Sequence, residues 1–272
     1  MIVVSGATGR LGGRVARRLG GSTKLLVRDA KRAPQIEGAQ VAVAEYADGK
    51  AVEEALRGAE TVLMVSAAET PDRVAQHRSF VDAAKAAGVR HLVYTSFAGA
   101  APEATFTLAR DHWATEEHIR ASGIGFTFLR DNLYADFLPM MVGEDGVIRG
   151  PAGDGRAAVV TQDDIADAAI AVLREPARHA GKTYDLTGPE ALTLAEVAEI
   201  IGGGVRYHAE SIEDAYASRE RYRAPRWQVD AWVSTYTAIA AGELEAVSGD
   251  VAALSGHPAT SLRELLSAPD AG

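Results

Sequence analysis

The sequence predicts a doubly wound α/β fold: a parallel β-sheet with helices on both faces, followed by a smaller C-terminal lobe. Three observations predict it. Over the first 130 residues, short apolar runs of strand length alternate with stretches of helical period. A glycine-rich turn, Gly6-Ala-Thr-Gly9-Arg-Leu-Gly12, lies between the first apolar run and the first helical stretch. After Leu129 the rhythm breaks, and Pro139, Gly143, Gly146, Gly150, Pro151, Gly153 and Gly155 crowd a loop-rich region where a second lobe begins.

Taken in order, Ile2 to Val4, Leu25 to Val27, Val41 to Ala44, Val62 to Val65, Leu92 to Thr95 and Phe126 to Leu129 are β-rich apolar runs that suit strands buried on both faces. Between them, Leu11 to Leu19, Ala51 to Leu56, Arg73 to Ala87 and Asp111 to Ala121 each carry an apolar stripe at helical spacing. Gly88 and Gly123 follow the third and fourth helices as left-handed terminators, and Pro71 suits a first helical turn. In the second lobe, helices are expected over Asp163 to Leu173 and Leu194 to Ile201, with strands near Thr183 to Leu186 and Val205 to His208. Trp227 and Trp232 belong to a further helix, and Ser261-Leu-Arg-Glu264 is a capping-box pattern that opens a short terminal one.

Composition narrows the function classes. The chain has 272 residues, a formal net charge of -9 and no cysteine. An acidic balance argues against a broad basic surface for nucleic acid or anionic lipid and favours small-molecule partners. Without cysteine there can be no disulfide, thiolate nucleophile or cysteine-ligated metal, and no His/Asp/Glu spacing suggests a metal site. The start lacks the basic flank and cleavage pattern of a signal peptide, and no apolar stretch is long enough to span a bilayer. The cytoplasm is the expected compartment.

The glycine turn carries the first chemical signal. Its glycines let the backbone turn tightly and approach a pyrophosphate, while the N–H groups at the start of the following helix stabilise negative charge. Residues Gly6, Thr8, Gly9, Arg10, Leu11 and Gly12 are therefore assigned to a dinucleotide of the Rossmann type. The second strand ends Leu26-Val27-Arg28, nineteen residues after Gly9, where an NAD-specific protein places an acid against the ribose hydroxyls. Arg28 has the opposite charge, and its planar guanidinium suits a 2′-phosphate; Arg10, Lys31 and Arg32 add positive potential. The cofactor expected is NADP(H). Asp29 stands as the alternative, a ribose ligand if the strand ends one residue later.

These motifs, together with Val93-Tyr-Thr-Ser96, Ala114-Thr-Glu-Glu117, Ala121-Ser-Gly123 and Phe128-Leu-Arg130, resemble the NmrA-like branch of the atypical short-chain dehydrogenases. Gln76-His-Arg78, the run from Ala83 to Ser96, Gly153-Asp-Gly-Arg156 before Asp163-Asp-Ile-Ala166, and His257-Pro-Ala-Thr-Ser-Leu are most similar to its bacterial NADPH:quinone reductases. The resemblance implies an NADP(H)-binding Rossmann domain over residues 1–130 and a substrate lobe over 131–272 interleaved with it, with a cleft between them. It also implies an NADPH-dependent reductase that transfers hydride to a quinone or similar conjugated carbonyl. Two other readings stay open: a dinucleotide-binding redox sensor that docks a partner without catalysis, and a biosynthetic reductase or isomerase with a specialised acceptor.

Ordinary short-chain dehydrogenases use a Tyr-x-x-x-Lys pair four residues before a glutamate. When that glutamate is aligned with Glu116, the lysine position holds His112 and the tyrosine position Leu108. Ketone reduction creates a strongly basic alkoxide and needs a positioned acid, whereas hydride addition to a quinone leaves a phenolate, whose conjugate acid has a pKa of about 10. The missing pair therefore favours a quinone-like acceptor or no catalysis.

His112 could bond the nicotinamide ribose or protonate a quinone oxygen, or be a partly solvated histidine at a helix start. His77 and His118 read as surface or packing residues. Ser66, Thr95 and Ser96 end the fourth and fifth strands, where contact with the dinucleotide competes with plain strand termination. Glu45 and Tyr46 follow the third strand, where the family often carries an acid and an aromatic beside the adenine. Phe97, Asn132, Tyr134 and Phe137 could form an aromatic slot with one amide for a flat acceptor, or pack in the core. The catalytic candidates are His112, Asn132 and Tyr134.

Overall fold

The computed structural model describes residues 1–268. Its strands are β1 (Ile2–Ser5), β2 (Thr23–Val27), β3 (Gln40–Val43), β4 (Thr61–Met64), β5 (His91–Phe97), β6 (Gly125–Asp131), β7 (Val147–Gly150), β8 (Arg156–Ala157), β9 (Lys182–Leu186), β10 (Leu192–Thr193) and β11 (Arg206–Ala209). Its helices are α1 (Arg10–Leu19), α2 (Gly49–Leu56), α3 (Arg73–Ala86), α4 (Thr107–Ser122), α5 (Gln162–Arg174), α6 (Leu194–Ile201), α7 (Ile212–Arg219), α8 (Arg226–Ala240), α9 (Asp250–Ser255) and α10 (Leu262–Ser267).

Seven strands form the central sheet in the order β3-β2-β1-β4-β5-β6-β9. The registers from β3 to β5 are parallel, with Val4 opposite Leu25 on one side and Leu63 on the other. The order reverses at β1, so the chain winds outward in both directions from that strand, and crevices of such sheets open at the carboxyl ends there. β4 and β5 are buried along their whole length because helices cover both faces. Phe80, Leu92, Tyr94, Ile119 and Phe128 fill the core on one face, each worth about 1.5–3 kcal/mol when fully buried. β3, at the edge, leaves Val41 and Val43 exposed.

The local signals explain most boundaries. Gly88 and Gly123 take φ of 78° and 79° just past α3 and α4, and Ser261 and Glu264 close a reciprocal capping box at α10. Trp227 and Trp232 lie on α8. Helix α3 begins at Arg73 as expected, which leaves Pro71 two residues ahead of it and not in its first turn; α4 begins earlier than expected, at Thr107, so Leu108, His112 and Glu116 share one helical face at i, i+4 and i+8. The glycine-rich stretch after Leu129 contains β7 and β8, which were not predicted. Each is four residues or fewer and is specified by a distant partner, β11 for β7 and β10 for β8. Helices α7 and α9 also escaped prediction, at eight and six residues.

The chain divides into two compact units. One comprises Met1–Phe97, Asp111–Arg130 and Asp163–Tyr184; the other comprises Ala98–Arg110, Asp131–Gln162 and the chain from Asp185 onward. The first holds most of the seven-stranded sheet. In the second, α6 packs on β11 and α10, and α7 packs on α8. Among the described residues, no helix is long and apolar enough to cross a membrane.

Candidate cofactor and active site

The site begins where β1 hands over to α1. Gly6 turns the chain with φ of 62°, which an L side chain rarely adopts, and its Cα faces Val65 so closely that a Cβ would lie 3.1 Å from Val65 Cβ. The Gly9 N–H donates to the Gly6 carbonyl at 2.8 Å and closes the turn. Gly9 then caps α1 without any side-chain hydrogen bond, and the first turn contains no acidic residue. The positive end of the helix is thus left for a ligand anion. Gly12 brings α1 against β1: a Cβ there would sit 2.4 Å from the Gly6 carbonyl oxygen and 2.9 Å from that of Ser5.

Around this turn is a pocket of about 440 Å³, within the range of small-molecule sites. Gly6, Thr8 and Gly9 form one wall, Leu26 to Arg28 the end of β2, Ala44 to Ala47 the segment after β3, and Val65 to Ala68 with Thr70, Asp72 and Gln76 the segment after β4. The residues fit a dinucleotide: Gly6, Thr8 and Gly9 line the pocket beside the uncapped start of α1, and the exposed Arg28 sits at the β2 end of the same pocket. Asp29 has another task. Its carboxylate accepts from the Lys31 N–H at 2.9 Å and caps the short turn Ala30–Arg32.

Of the other cofactor candidates, Arg10, Leu11 and Gly12 open α1, with Leu11 and Gly12 buried. Ser66 lines the pocket and its N–H donates to Thr95 Oγ1 at 2.9 Å, so Thr95 braces the end of β4 from beneath. Ser96 turns elsewhere. Its hydroxyl donates at 2.6 Å to the fully buried Glu116, which also receives Arg130 at 2.7 and 2.8 Å and Arg120 at 3.1 Å. Glu45 and Tyr46 both line the pocket, and the Tyr46 hydroxyl bonds Ser5 Oγ and the Val65 carbonyl, joining the ends of β1 and β4. Burial pushes that phenol well above its ordinary range.

His112 is buried, unlike the partly solvated alternative. Arg73 Nη2 donates to its Nε2 at 2.9 Å, and Tyr94 Oη lies 2.9 Å from its Nδ1. A guanidinium only donates, so Nε2 is unprotonated and the imidazole carries its proton on Nδ1. Burial first, then the Arg73 charge, holds its pKa well below the usual histidine range. His77 is likewise buried. The Ala67 N–H donates to its Nε2 at 2.8 Å, Nδ1 faces Thr115 Oγ1 at 2.9 Å, and burial with the Arg73 charge pushes its pKa down to about 3. His118 is partly exposed and bonds Asp82. Phe97 places its ring 6.0 Å from that of His112.

In the second unit, Asn132 is buried with its amide committed: Nδ2 donates to the Leu244 carbonyl at 3.0 Å and Oδ1 accepts from the Leu133 N–H at 2.7 Å. The Tyr134 hydroxyl donates to Asp131 at 2.5 Å, and its ring lies 5.5 Å from that of Phe137, which is 36% exposed. Sequence reasoning passed over the pocket wall from Ala67 to Gln76. The signal was available in the topology, since a segment leaving the carboxyl end of β4 next to the switch strand must border the crevice.

A model of the NmrA-like family matches residues 1–215. The chain is 36% identical to quinone oxidoreductase 2 of Escherichia coli strain K12 over 98% of both chains. It is 31% identical to the NAD(P)H azoreductase of Xenophilus azovorans, over 98% of this chain and 97% of that one. Among solved structures, that of the NADPH-dependent quinone oxidoreductase of Escherichia coli complexed with NADPH superposes with a TM-score of 0.90 at 35% identity, over 98% of this chain and 99% of that one. With its glycine turn, sheet order and second unit all in place, the chain belongs to the NmrA-like family.

Proposed function

We propose that this protein is an NADP(H)-dependent reductase that delivers hydride to a quinone or similarly conjugated small molecule. The observation that carries the reading is one pocket in which the uncapped, glycine-lined start of α1 meets Arg28 at the end of β2. The first suits a pyrophosphate and the second a 2′-phosphate. Relatives named as a quinone oxidoreductase and an azoreductase, similar over almost the whole chain, support the reaction class. When bound, NADPH supplies the hydride.

The protein's own groups bind and orient, which can supply most of the rate where the acceptor is undemanding. Gly6, Thr8, Gly9, Arg10, Leu11 and Gly12 hold the pyrophosphate, Arg28 the 2′-phosphate, and Ser66 the wall that Thr95 braces; Ser96 supports the same strand end through Glu116. His112, neutral and bonded at both ring nitrogens, is no acid reservoir at neutral pH. A phenolate product needs little help with its proton. Asn132 and Tyr134 are assigned to the acceptor side, in a substrate lobe over 131–272, the last four residues of which lie outside those described. Tyr134 with Phe137 gives the second unit a partly exposed aromatic pair suited to a flat acceptor. A chain with no cysteine has no need of an oxidising compartment, which supports a cytoplasmic place.

The test is NADPH oxidation by the purified protein against a panel of quinones, azo compounds, enones and aliphatic ketones. Quinones turn over and unactivated ketones do not. His112→Ala slows quinone turnover by less than about tenfold, short of the 10²–10⁴ that a general acid contributes. Efficient ketone reduction, or complete loss of activity in His112→Ala with cofactor affinity intact, would sink the account of the acceptor. Tight NADPH binding with no turnover on any acceptor would favour a dinucleotide sensor.

A further inference from the structure

Arg73 opens α3 and is 4% exposed, a charge buried at the start of a helix. Its guanidinium reaches in two directions. Nε donates to the Ala67 carbonyl at 2.9 Å, and Nη2 donates to His112 Nε2 at 2.9 Å. One turn along the same helix, His77 accepts from the Ala67 N–H at 2.8 Å, so both backbone groups of a pocket-lining residue are gripped from α3. The third nitrogen, Nη1, is buried without a hydrogen-bond partner; the Asp111 carboxylate stands 3.7 Å away, an ion pair beyond hydrogen-bond reach.

A buried cation with an unsatisfied N–H is costly, and an apolar side chain of similar volume would pack there more stably. The charge faces two imidazoles, His77 and His112, and two carboxylates, Asp111 in an ion pair and Glu69 through space, and a guanidinium is suited to the geometry because its planar fork can hold two acceptors in fixed directions at once. The groups facing His112 are Arg73 and His77 on α3, Tyr94 on β5, Arg130 on β6, and the neighbouring Asp111 on α4. None of them is a carboxylate hydrogen-bonded to the imidazole.

We propose that Arg73 is a positioning residue: it fixes the Ala67 segment of the cofactor pocket and, through Nη2, locks the His112 imidazole as the neutral tautomer protonated on Nδ1. The inference rests on reading the pocket as the NADP(H) site. It assigns Arg73 to cofactor affinity and not to the chemical step, and it explains why His112 occupies a lysine position without a lysine's charge.

The test compares Arg73→Met and Arg73→Lys with the unmodified protein, using NADPH and 1,4-benzoquinone. Calorimetry should show the NADPH Kd raised by about tenfold or more in Arg73→Met, because the Ala67 segment, no longer held at its carbonyl, must then be ordered as the cofactor binds. At saturating NADPH, kcat should stay within about threefold, since the lost interaction is uniform binding. Arg73→Lys, with one charge and no fork, should recover only part of the affinity. Nitrogen-15 spectra of the imidazoles, with His112 assigned by its absence in His112→Gln, should show a proton on Nδ1 in the parent. In Arg73→Met, Nε2 should gain a proton or share it. A folded Arg73→Met with parental NADPH affinity, or with the His112 tautomer unchanged, overturns the proposal. Should Arg73→Met fail to fold, Arg73→Lys decides, parental affinity overturning the proposal and a loss of at least about threefold supporting it. If the unmodified protein does not bind NADPH, the reading of the pocket fails, while the tautomer spectra still report on Arg73 separately.

Discussion

At the scale of single residues, the pocket depends on charges placed where only one form of the cofactor can use them. Arg28 is exposed at the end of β2, while Asp29 is spent on capping the turn that follows. The protein should therefore bind NADPH more tightly than NADH, and Arg28→Ala should shrink that preference by about tenfold or more, the loss of one charge-assisted hydrogen bond. Calorimetry with both nucleotides at one fixed ionic strength checks this. Equal affinities in the unmodified protein would return Asp29 to consideration as a ribose ligand. The histidines tell a different story. His77 and His112 carry little that marks them in sequence, yet each is buried and each uses Nε2 as an acceptor. Their neutrality follows from burial and from the charge of Arg73, which lies one turn from His77 on α3.

At the scale of elements, the join of β1 and α1 separates two kinds of glycine. Gly9 has an ordinary φ of −86°, and a Cβ there would lie 3.2 Å from the Gly6 carbonyl oxygen, a contact that a small shift relieves. Gly12 has no such room, because its Cβ would lie 2.4 Å from backbone. Gly9→Val should accordingly weaken NADPH binding with little unfolding, since the branched side chain stands where the pyrophosphate must approach. Gly12→Ala should also lose stability, by about 1–3 kcal/mol for an overpacked contact, because α1 must move off β1. Urea unfolding and cofactor titration of the two variants side by side would separate the effects. Normal NADPH affinity in a folded Gly9→Val would place the site elsewhere.

At the scale of the whole molecule, several buried neutral histidines make the fold sensitive to acid. Burial is the leading cause of the depressed pKa at His77, His91 and His112, with His77 brought to about 3. In the unfolded chain each titrates near 6.5. A folded pKa below the unfolded one means that the unfolded state takes up protons first, so stability is complete above about 6.5 and declines as pH falls toward the folded values. Each fully depressed histidine should contribute a slope of up to about 1.4 kcal/mol per pH unit below 6.5. Unfolding in urea between about pH 7.5 and 5, above the main carboxylate range, should show this decline, and His77→Gln should flatten it by about one proton. A flat profile over that window would mean that these histidines take up protons in the folded state.

Read without its fold, the sequence determined the alternation of strands and helices, the glycine turn, Arg28, and the absence of the Tyr-Lys pair. These are local signals, written in the spacing of apolar residues and in glycines that no other residue replaces. The short elements β7 and β8 were not legible, because they lie in a stretch crowded with glycine and proline and are specified by partners far along the chain, β11 and β10. The same limit applied to the site. Ser96 stood beside Thr95 in sequence, but the pleat sends successive side chains to opposite faces, so Thr95 braces the Ser66 segment while Ser96 meets the buried Glu116. Only the tertiary structure brought Arg73, Ala67 and His112 together, since a guanidinium held between a loop and another helix leaves no period or motif along the chain.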